Sequence, residues 1–158
     1  MCYNLNMRKV VFLLVFLPLL VGCHHKVYYT NPITVVLNTG SSLKGTPYRY
    51  GGRSPAGFDC SGFAWYCYDR AGIVIPSTSK LQRKAGKKVA RSLKFSKLKP
   101  GDLLFFKMKW IFGHPDHVGI YAGHRQMLHS SASLGVVQES LDIDFWKKHF
   151  SYARRIVK

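Results

Sequence analysis

Carboxylates are scarce in this chain: seven acidic residues face 24 lysines and arginines, giving a formal charge of +17. Such a protein is drawn to polyanions. Cysteines are few as well, four in all. Cys60 and Cys67 fall seven residues apart on one predicted helix. At about 1.5 Å of rise per residue they lie beyond disulfide reach, which excludes a disulfide framework even in an oxidising compartment. Cys67 is then a small buried hydrophobe on the same helical face as Cys60. The apolar run from Val10 to Val21 is too short to span a bilayer and has the length of a signal-peptide core. No internal repeat or low-complexity tract is present.

Arg8 and Lys9 precede that run, and Leu20-Val21-Gly22-Cys23 ends it. The ending resembles the bacterial lipobox, whose cysteine receives a diacylglyceryl group. The resemblance implies a signal peptide over residues 1–22 and lipidation at Cys23. Met7 would give a more usual signal length than Met1. No aspartate follows Cys23, and His24 in that place resembles lipoproteins sorted to the outer membrane. A lipid-anchored protein on the periplasmic face of that membrane is expected. Removing the signal leaves about 136 residues, enough for one domain. Residues 23–38 read as a tether, although Ile33 to Leu43 has the makings of a short helix, and residues 39–158 read as the domain. Much of the basic excess lies between Lys80 and Lys99. An exported chain has little access to nucleic acid, so none is expected as a partner. Anionic wall polymer or lipid headgroups remain open against a solvated basic face.

Asp59 can cap a helix from Cys60 to Ala71 that stops at Gly72, with Cys60, Phe63, Ala64, Cys67 and Ala71 on one face. Ser77 or Ser79 can cap a second helix ending near Gly86. Pro100-Gly101 turns into a strand-like run, Leu103 to Phe106, and His117 to Tyr121 and Gln126 to Ser130 read as further strands. Asp142 to Phe150 reads as a helix and Tyr152 to Val157 as a closing strand. Helices ahead of an antiparallel sheet make an α+β domain.

A lone cysteine opening a helix, with two histidines downstream, reads as an activated thiol nucleophile. If Ala122-Gly123-His124 is a three-residue hairpin loop, the register sets His117 opposite His129 on one face. The helix dipole favours a thiolate at Cys60. His117 would take the thiol proton, His129 would fix its tautomer, and N–H groups at the helix start would hold an oxyanion. His24, His25, His114, His124 and His149 read as surface or loop residues. Three Cys and His ligands fall short of the four of a closed zinc site, so no metal is expected.

Several runs together carry a more specific likeness. Gly45-Thr46-Pro47-Tyr48-Arg49-Tyr50-Gly51-Gly52, Gly57-Phe58-Asp59-Cys60-Ser61-Gly62-Phe63, Pro100-Gly101-Asp102-Leu103-Leu104-Phe105-Phe106, His117-Val118-Gly119-Ile120-Tyr121 and Ala153-Arg154-Arg155-Ile156 stand in that order. They resemble the NlpC-type cell-wall cysteine peptidases, above all the single-domain lipoprotein murein endopeptidases of Gram-negative bacteria. The resemblance implies a papain-like domain with N-terminal helices packed on a central antiparallel sheet, acting as a monomer on peptidoglycan stem peptides without a cofactor. It implies Cys60 as nucleophile, His117 as general base and His129 as orienting residue. Tyr48 matches the tyrosine beside the thiol, and Asp59 and Ser61 match positions lining the substrate cleft, although capping alone would account for both.

Two places depart from the pattern. Ser77 follows Pro76 where the family usually has arginine, and Trp110-Ile111-Phe112 make the loop before His117 unusually apolar. The family cuts either between D-glutamate and meso-diaminopimelate within the stem or across the D-alanine to meso-diaminopimelate cross-link. The commoner within-stem bond is expected. A wall-binding module without turnover and an acyltransferase using the same thiol are the alternatives.

Overall fold

The computed structural model describes residues 31–108 and 113–157. The signal segment, Cys23, His24, His25 and Trp110-Ile111-Phe112 lie outside the described residues. Helix α1 (Pro32–Ser42) opens at Asn31, whose side chain accepts from the Ile33 N–H at 2.9 Å. Pro32 sits in the first turn, where its missing N–H has no helical partner to lose. Residues 32–38, read in the sequence as tether, therefore belong to the domain: Val36 is fully buried in the core. A Cβ on Gly40 would lie 3.1 Å from Leu128 and 3.2 Å from Phe63, so the glycine permits α1 to close on its neighbours.

Helix α2 (Cys60–Arg70) forms as its capping signals require, with Asp59 as N-cap and Gly72 at φ +71° just beyond the end. Phe63, Ala64, Cys67 and Tyr68 are its buried face. A short hairpin of β1 (Arg53–Ser54) and β2 (Gly57–Phe58) precedes it. The second expected helix shrinks to one turn, α3 (Ser79–Gln82), capped by Thr78 without a side-chain bond. Beyond it, the Arg154 guanidinium bonds the carbonyls of Lys84, Ala85 and Gly86, drawing that segment out of helical geometry and into β3 (Lys87–Ala90).

The main sheet adds β4 (Leu103–Phe106), β5 (His117–Gly123), β6 (Gln126–Ser131), β7 (Gly135–Ser140) and β8 (Phe150–Arg155), in the order β3-β8-β4-β5-β6-β7. Every neighbouring pair is antiparallel. Strands β3 and β7 were not expected from the sequence. Both are edge strands, half exposed, and carry the polar residues that blunt an edge rather than an alternating apolar pattern. Helix α4 (Asp144–His149) is shorter than expected, and β8 starts two residues earlier than expected.

Strand β4 is buried along its whole length. Leu103 and Phe105 pack with α1 and α2, while Leu104 and Phe106 pack with Leu141 and Trp146 on the opposite face. The result is the expected α+β architecture, with α1 and α2 on one face and α4 with residues 89–98 closing the other. Among the described residues every core side chain falls between Val36 and Ala153, so a chain beginning at residue 24 holds the complete core.

Gly62 fixes how closely α2 approaches the loop before it. A Cβ there would stand 2.0 Å from the Gly52 carbonyl oxygen, a backbone atom with nowhere to move. Gly62→Ala is expected to destabilise the domain by about 1–3 kcal/mol. A lowered urea midpoint at unchanged slope would show this, and an unchanged midpoint would refute it.

Candidate active site

The first turn of α2 holds Cys60 half-buried beside β5. The Val118 N–H points at its sulfur, as do those of Ser61 and Cys60 itself. Burial nevertheless outweighs these donors, and with the nearby Asp59 charge it pushes the thiol pKa up to about 11. Burial around the sulfur therefore opposes the thiolate that the helix dipole and these N–H donors favour.

His117 and His129 do meet. Their rings stand at 89°, with His117 Nε2 2.9 Å from His129 Nδ1. The register that brings them together differs from the expected one. Gly123 pairs with Gln126, so the turn is the two residues His124 and Arg125, at φ +49° and +58°, and Ala122 is bulged. Ile120 faces Leu128. Extended towards the N-terminus, this register sets Gly119 beside His129, and a Cβ on Gly119 would meet the His129 Cβ at 3.3 Å. His117 is therefore a diagonal neighbour of His129. A shift by two keeps both on the same face, and the ladder ends early enough for the rings to close the gap.

Aromatic side chains pack around this pair. Trp146 stacks on His117 at 5.8 Å and meets His129 edge-on at 5.1 Å, and Phe106 lies 6.2 Å from His117. His129 is 1% exposed. Burial lowers the pKa of both imidazoles, that of His117 further because His129 is its neighbour. Behind them, Glu139 on β7 reaches His129 Nε2 at 2.7 Å. Glu139 is itself a quarter exposed, so its carboxylate accepts from a neutral ring rather than charging it.

That chain fixes the tautomers. A carboxylate only accepts, so His129 carries its proton on Nε2 and offers the Nδ1 lone pair. His117 must then donate from Nε2, which leaves its Nδ1 as a free base. The thiol makes no hydrogen bond to this ring in the resting site; its contact with β5 runs through Val118.

Asp59 binds the loop to the helix: Oδ1 accepts from the Gly62 N–H at 2.6 Å and the Ser61 hydroxyl at 2.9 Å, and Oδ2 from the Gly51 N–H at 3.0 Å. Ser61 is buried, with its hydroxyl held by Asp59. Tyr48 bridges to Phe58, and its phenol pKa is raised by burial and by the proximity of Cys60 and Asp59. Gln82 ties α3 to the nucleophile's turn by donating to the Ser61 carbonyl at 2.9 Å.

A profile of the NlpC/P60 family matches residues 45–155. The chain belongs to the NlpC/P60 family. It is 42% identical over 149 residues to the probable endopeptidase NlpC of Escherichia coli K12, covering 87% of this chain and 93% of that protein. It is 36% identical to the murein DD-endopeptidase MepS/murein LD-carboxypeptidase of the same strain, over 77% of this chain and 62% of that one. Among solved structures, an NlpC/P60 family protein from Bacillus cereus superposes with a TM-score of 0.71 at 34% identity, over 82% of this chain and 41% of that one.

Within this NlpC/P60 domain the sequence reading missed Glu139 and Trp146. Trp146 carries a legible signal, a large aromatic on a short amphipathic helix. Glu139 has none until β7 is known to pair with β6. With the thiol neutral and His117 unprotonated, alkylation of Cys60 by iodoacetamide should accelerate about tenfold per pH unit from pH 6 to pH 10. A rate already level below pH 6 would reveal a preformed ion pair and contradict this geometry.

Proposed function

We propose that this protein is a peptidoglycan endopeptidase, a cysteine hydrolase that cuts amide bonds of wall stem peptides. The observation that carries the reading is the unbroken chain His117, His129, Glu139, set beside a helix-opening cysteine. Family membership, a relative named as a probable endopeptidase and another named as a murein DD-endopeptidase support it.

In this mechanism the Cys60 sulfur attacks the scissile carbonyl as His117 Nδ1 takes the thiol proton, so the ion pair forms in the step rather than before it. Positive charge arising on His117 is relayed through His129 towards Glu139, whose carboxylate stabilises it. The N–H groups of the first turn of α2, with Tyr48 beside them, receive the oxyanion. His117 returns its proton to the leaving amine, and water attacks the thioester. The Trp146 wall keeps bulk water from the imidazoles, so the charges of the transition state interact in a weakly screened site.

The proposed target is the D-glutamate to meso-diaminopimelate bond. The cross-link is the second reading, favoured by the DD-endopeptidase name of the MepS relative. Lipid attachment at Cys23, on the periplasmic face of the outer membrane, is part of the same proposal, supported by Leu20-Val21-Gly22-Cys23. Labelled palmitate entering the wild type and not Cys23→Ser would support it, and equal labelling would dismiss it.

Residues 24–158, incubated under reducing conditions with cross-linked and uncross-linked muropeptides, should yield fragments whose masses name the bond. Cys60→Ala should yield none. Glu139→Gln should keep KM and lose about 10- to 100-fold in kcat, the worth of a charge-assisted hydrogen bond, and should shift the pH profile. Intact substrates with a demonstrably free thiol would point to a binding module, and products carrying a new acyl acceptor to a transferase.

A further inference from the structure

No carboxylate occurs between Asp69 and Asp102, while nine lysines and arginines fall between Lys80 and Lys99. None precedes Asp59 either. The fold gathers part of this imbalance at one end of the sheet. Arg154 holds the backbone of residues 84–86, and Arg155 binds the Lys97 carbonyl and both oxygens of Asp102, at 2.8 and 2.7 Å. Lys87 faces Arg155 across β3 and β8. The side chains of Lys84, Lys87, Lys97 and Lys99 are exposed there, and none has a carboxylate partner among the described residues. The acids nearby are already paired, Asp102 with Arg155 and Asp142 with Arg125.

Two further placements give this end a meaning. The catalytic groups occupy the other end: Phe106 pairs with His117, whereas Leu103 pairs with Ile120 and Arg154. From His117 to the tip of the β5–β6 hairpin is about 20 Å of strand. The chain also joins the domain at the basic end. Ile33 packs against Gly101, and a shallow groove there is lined by Asn31, Ile33, Leu37, Lys99, Pro100 and Arg155. Residues 23–30, which carry the proposed lipid site, lead into that point.

We propose that this basic end is a docking surface for an anionic phospholipid bilayer, which holds the catalytic cleft facing away from the membrane. A diacylglyceryl anchor would hold the chain to the bilayer without setting the domain's orientation, and basic residues beside the attachment point select the face that meets anionic headgroups. Chain attachment and charge fall on one side of the domain, so lipid and lysines pull in the same direction and leave the cleft towards the wall. The docking itself stands on charge and topology; only the orientation rests on the catalytic reading above.

The test uses residues 24–158, without lipid, and sedimentation with vesicles of phosphatidylcholine containing 30% phosphatidylglycerol. The wild type should bind these at low salt, release at 0.5 M salt, and ignore pure phosphatidylcholine. The variant K84Q/K87Q/K97Q/K99Q should partition on the order of 100-fold more weakly. The charge-matched variant K44Q/K80Q/K147Q/K148Q should bind nearly as well as the wild type. Equal loss in both variants would reduce the effect to net charge, and absence of wild-type binding, or binding through these lysines to isolated sacculi alone, would overturn the proposal. Vesicle-bound protein should still turn over soluble muropeptides, and blocked turnover would refute the orientation. Should the enzyme reading fail, turnover is absent with and without vesicles while the binding results stand unchanged.

Discussion

The close approach of the first turn of α2 to the loop of residues 49–58 and to β5 is the constraint from which the site follows. Gly62 permits that approach, since its missing side chain leaves room for the Gly52 carbonyl. Asp59 then binds the loop and the helix together from both of its oxygens, and Gln82 secures the same turn from α3. The sulfur of Cys60 is thereby set against the Val118 N–H. Loosening any of these contacts moves Cys60 relative to the strand that carries His117.

The second half of the site depends on exclusion of water. Trp146 and Phe106 pack against His117, and the sheet buries His129; this desolvation lowers the proton affinity of both imidazoles. The same burial keeps the thiol protonated. Glu139 remains partly in solvent and directs the polarity of the histidine chain from the outside. Burial thus favours the neutral forms of the Cys60 thiol and of both imidazoles.

Much of this was legible in the sequence where local chemistry decides structure. Asp59 and Gly72 bracket an apolar helical period, and α2 formed between them; Leu103 to Phe106 read as a strand and is one. Legibility failed where partners are distant. Edge strands β3 and β7 carry no strong pattern, so Glu139 could not be connected to His129 in advance. The β5–β6 turn uses His124 and Arg125 at positive φ, residues without the usual asparagine or glycine signature, and the expected register slipped by two. The pairing of the histidines survived because a two-residue slip preserves the face. The helix dipole at Cys60 is visible in a sequence, whereas the burial that opposes it is not.

The central claim is that a carboxylate sets the protons of two neutral histidines and leaves His117 Nδ1 as the base. Nitrogen-15 NMR of the imidazole rings in the resting protein at pH 7 tests it most directly. The account predicts that His117 and His129 are both neutral and both protonated at Nε2. An imidazolium at His117, or a proton on its Nδ1, would contradict it.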